Sequence, residues 1–189
     1  MRKARRWSPA AAEREQITAH LFYEVQMTFF LAGHLNTPAG SRVDVSLRNA
    51  HVEAFTIHLR QLIDFFWGER QRRGGERDAF AADFYPEGQW ARLRPELPAV
   101  LDKALCDRSD WGITELTYGR GSVGPAANVW DVVTQAFALA PAVRRFADTV
   151  DHAQFTPGYV NGMKLCAEMF LDGNRGSLPS ARGAADIAA

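Results

Sequence analysis

The stretch from Phe22 to Leu35 constrains the fold most, because it is apolar nearly all the way round a helix. With Phe22, Val25, Met27, Phe29, Phe30 and Leu31 in so short a run, no polar side is left at about 3.6 residues per turn. A helix of this kind has to be wrapped by neighbours. Ser8-Pro9 opens it, with Ser8 as N-cap and Pro9 at the first helical position, where a missing N–H costs nothing. The breaker-rich loop Asn36-Thr-Pro-Ala-Gly-Ser41 closes it at about Leu35. The expectation is the central helix of a bundle.

A second helix follows from about Asp44 to Trp67, with Gly68 as its stop. Steps of about 100° per residue divide it into two sides. Leu47, His51, Phe55, His58, Leu62, Phe65 and Phe66 share a broad apolar side, whereas Asn49, Glu53, Arg60 and Asp64 form a narrow strip opposite. The short loop makes the two helices antiparallel neighbours.

The remaining chain reads as shorter pieces. Residues 69–78 form a charged loop, followed by a short helical segment from Asp78 to Phe84 and a turn at Glu87-Gly88. Pro95 to Asp107 is expected as a third substantial helix, and Ser109 or Asp110 caps a short one through Trp111 to Tyr118. A glycine loop from Gly119 to Pro125 precedes a helix from about Asn128 to Asp151, which Pro141 should kink or split. A last helix covers Tyr159 to Leu171. No segment alternates apolar with polar residues, so strands are not expected. The fold class is therefore all-α, a bundle of five or six helices built on a long antiparallel hairpin. It divides into a basic arm (1–7), the bundle (8–172) and a disordered tail (173–189).

Composition narrows the function classes. The 189 residues are 47% hydrophobic, including 12 Phe and 5 Trp, which is ample for one core. A net charge of zero removes whole-molecule attraction for nucleic acid or an anionic membrane and leaves only local basic clusters. Those are Arg2, Lys3, Arg5 and Arg6 in the arm, and Arg70, Arg72, Arg73 and Arg77 in the charged loop. The two cysteines, Cys106 and Cys166, have no partner at metal-ligand spacing, which suits a reducing cytoplasm. Charged residues at Glu13 to Glu15 interrupt any signal-peptide pattern, and no apolar run spans a bilayer.

Glu53, Arg60 and Asp64 form the sharpest chemical constellation, a guanidinium between two carboxylates on one helix face. Facing another helix, such a strip binds phosphate or carboxylate; facing water, it is a solvated row of ion pairs. His58 is one further candidate catalytic group, and Tyr118 and Arg120 are candidate ligand-binding residues. His20 and Glu24, four residues apart, share a face, and the hairpin register puts His20 at about the level of His58, three groups able to hold a metal. The usual signatures H-x-x-x-H and E-x-x-H are missing, so no metal and no cofactor is assigned. Gly119, Gly121 and Gly124 match G-x-G-x-x-G in letters, but no strand precedes them.

The run from Asn49 to Phe66, with Asp78-Ala-Phe-Ala-Ala-Asp-Phe84 and Glu115-Leu-Thr-Tyr-Gly-Arg120, resembles a group of uncharacterised bacterial all-helical proteins. These are distantly similar to the HEPN helical bundles, which include dimeric ribonucleases and nucleotide-associated proteins of toxin and defence systems. The resemblance implies a helical bundle and RNA or a nucleotide as ligand. Arg48-Asn49 matches the start of the ribonuclease pattern, while His51 falls too early and His58 too late for its histidine. Three readings result: a homodimeric interaction or regulatory protein, a HEPN-like RNA-cleaving or nucleotide-binding protein, and a helical-bundle metalloenzyme.

Overall fold

A computed structural model describes residues 11–37, 40, 44–68, 79–102, 131–156 and 158–172. The described residues form five α-helices and no strand: α1 (Ala11–Leu35), α2 (Val45–Trp67), α3 (Gln89–Leu93), α4 (Val132–Thr149) and α5 (Tyr159–Leu171). Single 3₁₀ turns at Ala81–Phe84, Ala99–Leu101 and His152–Gln154 link them. The class is all-α. Asp44 caps α2, its carboxylate accepting the Ser46 N–H at 2.8 Å. Asp131 caps α4 through the Thr134 N–H.

Along α1 and α2, Glu24 meets His58 and His34 meets His51, so the two helices run in opposite directions. Helix α1 also packs on α4 and α5, which gives it three helical neighbours. Its inner side is Leu21, Phe22, Val25, Phe29, Ala32 and Leu35, all buried. Phe146 of α4 is the hub of an aromatic core. Its ring contacts those of Phe65, Phe66, Phe84, Tyr85, Trp90 and Phe155 at 5.4 to 5.9 Å. Edge-to-face pairs at this spacing add attraction beyond burial alone.

The segment after α2 is stitched to the helix end by polar bonds. Trp90 Nε1 donates to the Phe66 carbonyl at 2.8 Å and Arg94 to the Trp67 carbonyl at 3.3 Å. These are two of the last four carbonyls of α2, which have no partner inside the helix. Trp67 Nε1 in turn donates to the Pro95 carbonyl at 3.0 Å. On the outside, α4 and α5 are bridged by Lys164, 2.6 Å from Asp148, within a cluster that includes Arg144 and Glu168. The hydrogen bond from Lys164 holds the Asp148 carboxyl below its ordinary range.

Three expectations need correction. No substantial helix begins at Pro95: residues 95–98 have no regular structure, and only the 3₁₀ turn Ala99–Leu101 follows before Asp102. Pro98 lacks an N–H and drives Leu97 away from helical backbone, and Arg94 before Pro95 is likewise extended at ψ 142°. Of the kink or split expected at Pro141, the split does not occur, and the proline sits on the exposed side of a continuous α4. Helix α1 is not wrapped all round, because Tyr23 and Phe30 remain 48% and 47% exposed. The expected loops and short helix between 103 and 130, the N-terminal arm and the tail lie outside the described residues.

Candidate functional site on the outer face of the first two helices

The open side of α1 carries Gln16, His20, Tyr23, Met27, Phe30 and His34, spaced alternately four and three residues apart. That spacing draws one stripe along a helix, and the stripe contains no charged residue. Beside it, α2 presents Leu47, His51, Ala54 and His58 at the same spacing. Ring contacts join the stripes at two levels. The Tyr23 ring meets His58 edge-on at 5.5 Å, and His34 meets His51 edge-on at 5.1 Å. Leu47 is 48% exposed, and Phe30 lies nearly parallel over His34 at 6.1 Å. Four of the chain's five histidines thus gather on one largely apolar face.

Glu24 and His58 form the strongest polar contact on this face. Glu24 Oε2 lies 2.6 Å from His58 Nδ1, with both side chains largely buried. A carboxylate at Nδ1 holds the imidazole in one orientation and leaves Nε2 as the free nitrogen. His34 Nε2 and His51 Nδ1 differ: both are buried and neither has a hydrogen-bond partner. Buried polar atoms without partners are uncommon and call for an explanation.

The sequence-derived candidates separate. Arg60 lies 3.8 Å from Asp64 as an i,i+4 pair, with the Arg60 side chain largely buried. Glu53 is exposed on the strip, and His58 points to the other side of the helix, to Glu24. The structure therefore does not gather Glu53, Arg60, Asp64 and His58 into one site. Tyr118 and Arg120 lie outside the described residues. For the metal reading, no group of three His, Cys, Asp or Glu side chains with metal-binding geometry occurs among the described residues. Glu24 bonds His58 directly, and His20 is exposed one turn away.

Away from this face, a shallow depression of about 390 Å³ is lined by His152, Ala153, Thr156, Gly158, Val160 and Asn161. His152 Nε2 is engaged with the Ala147 carbonyl at 3.1 Å, so its ring serves the α4 end. Cys166 is buried in the core, and burial pushes its thiol up to about 11. It is unreactive there. None of the described helices is long and apolar enough to cross a membrane. Comparison with known proteins returns no match for this chain, whether among family models, curated proteins or solved structures.

Proposed function

We propose that this chain is an interaction protein of a reducing cytoplasm that self-associates through the outer face of α1 and α2. One observation carries the reading: Tyr23, Phe30 and Leu47 stand about half exposed on a face with no charged residue in its α1 stripe. Large exposed apolar patches mark interaction surfaces. The α1 stripe has no charge with which to select a charged partner, and two copies of it meet without charge repulsion, as a two-fold interface requires. From Gln16 to His34 the outer face is about 27 Å long and, at two helix diameters, about 20 Å wide. That outline of about 540 Å² is about two-thirds of the ~800 Å² each partner contributes to a standard-sized interface.

Light scattering on the purified chain tests this. A dimer is expected, and Phe30→Glu should shift it to monomer with helicity intact. Leu165→Glu, at an exposed site on α5, should leave the dimer in place. A wild-type chain that is monomeric at tens of micromolar refutes the reading.

RNA cleavage is a second reading, and the Glu24–His58 pair favours it. With Nδ1–H donating to Glu24, the His58 Nε2 lone pair can accept a proton from a ribose hydroxyl, the role of a general base. Incubation with bulk RNA should then give cleavage that His58→Ala abolishes, and absence of cleavage by the wild type ends it.

A further inference from the structure

The histidines of the outer face divide into two kinds. His58 is engaged by Glu24, whereas His34 Nε2 and His51 Nδ1 are shut off from water with nothing to bond. Their rings stand 5.1 Å apart, one on each helix, at an interplanar angle of 84°. Two imidazoles sharing one tetrahedral ion have a similar spacing. A metal–nitrogen bond of about 2.1 Å plus about 1.1 Å from nitrogen to ring centre, opened to about 109°, separates the centres by about 5.2 Å. Edge-to-face packing alone also allows 5.1 Å, but it gives no reason for two nitrogens, on the same pair of rings, to be buried without partners.

We propose that His34 and His51 form a two-histidine site for a divalent transition-metal ion of the zinc class. The neutral imidazoles supply two ligands, through His34 Nε2 and His51 Nδ1, and water fills the remaining positions. Zinc, nickel and copper suit imidazole, whereas magnesium and calcium prefer oxygen. Phe30 forms the outer cover of the pair. Its ring lies over His34 and is 47% exposed, so it can swing aside without disturbing the core. His20 and His58 take no part: His20 stands alone and exposed, and the Nδ1 of His58 is committed to Glu24.

The test is calorimetric titration of tag-free, full-length protein with Zn²⁺, followed by Co²⁺ as a visible-absorption probe of coordination. One ion per chain is expected, with Co²⁺ bands of a tetrahedral or five-coordinate centre. His34→Gln and His51→Gln should each weaken binding more than the 10–100-fold typical of losing an outer-shell partner. His20→Gln and His58→Gln should change it less than twofold. In the wild type, Zn²⁺ should shift the ring resonances of His34 and His51 and leave those of His152 in place, a readout that needs no variant to fold. Absence of Zn²⁺ binding, or binding that survives His51→Gln, overturns the proposal and leaves a trapped water as the partner of the two nitrogens. Light scattering with and without Zn²⁺ reads self-association separately, so either idea can fail alone.

Discussion

Alanine at position 162 sets two opposing effects of known size against each other. Gly162 lies inside α5 and does not have positive φ, so its backbone accepts any residue. In a helix interior the change from Gly to Ala is favourable by about 0.8–1.0 kcal/mol. The added Cβ, however, would sit 2.6 Å from Phe22 Cε2 and 3.0 Å from Cζ. Carbon atoms prefer about 3.5–4.0 Å, so the ring must retreat by about 1 Å. It has little room, because Phe22 is buried and stacked on Tyr159 at 5.3 Å with an interplanar angle of 15°. Overpacking of this kind costs about 1–3 kcal/mol, so Gly162→Ala should destabilise the wild type by about 0–2 kcal/mol. Leucine at position 22 lacks both offending ring atoms, and the Cδ2 position at 3.5 Å is an ordinary contact. In a Phe22→Leu background, Gly162→Ala should therefore become stabilising by up to about 1 kcal/mol. A double-mutant cycle by urea unfolding measures the coupling, expected at about 1–3 kcal/mol. Coupling below about 0.5 kcal/mol, or stabilisation of the wild type by the single change, would refute the claimed close approach of α1 to α5.

Phe146→Ala should cost about 3–5 kcal/mol by urea unfolding. Its six ring contacts and full burial put it at the upper end. Phe137→Ala, at a ring that is only partly buried and packs on Phe170, should cost clearly less. Tyr85→Phe removes a hydroxyl placed 3.2 Å from the Phe146 carbonyl and 2.9 Å from Thr149 Oγ1, and should cost about 0.5–1.5 kcal/mol at neutral pH. Burial pushes this phenol up to about 12 from its ordinary 10.0, outweighing the Thr149 bond. The folded chain thus keeps a proton that the unfolded chain releases between those values, and the stability this contributes is lost as pH rises through the window. The gap between wild type and Tyr85→Phe should accordingly narrow from pH 9 to pH 11.5 (chosen to bracket the lower part of that window). A constant gap would show that the hydroxyl is not held neutral by the fold.

Features written in local residue chemistry were legible from the sequence. Helix α2 starts at about Asp44, Leu35 ends α1, and α5 spans Tyr159–Leu171, because breakers and apolar period act within a few residues. The Pro95–Asp107 expectation failed on the same kind of signal, read with too little weight on Pro98. Pro141 does not interrupt α4, since packing of Ala140, Ala142, Val143 and Phe146 on one side holds the helix through a proline on the other. The strip of Glu53, Arg60 and Asp64 shares one side of α2 by its spacing, but side alone does not say what faces it. That depends on which helices pack where, a property of the whole bundle.

The same limit explains why the outer face was hidden while half of it was in view. An all-apolar α1 implies neighbours on every side, and three helices are indeed packed on it; the fourth side is left to Tyr23, Phe30 and the histidines. A hairpin turning near residue 40 sets His20 about level with His58, whereas the structure pairs His58 with Glu24, and extending an ideal register from that pair sets His34 opposite Arg48. In the structure His34 meets His51 instead, so ten residues along α1 correspond to seven along α2. At about 1.5 Å per residue the mismatch is about 4.5 Å, close to one helical turn, and side-chain reach together with an inclined crossing absorbs it. The two imidazoles therefore come together through the crossing of the helices rather than through sequence spacing. An engineered one-turn shift of α2 against α1 should separate the imidazoles and abolish Zn²⁺ binding while Glu24 loses His58. Retention of either contact in such a variant would show that the register is not what assembles this face.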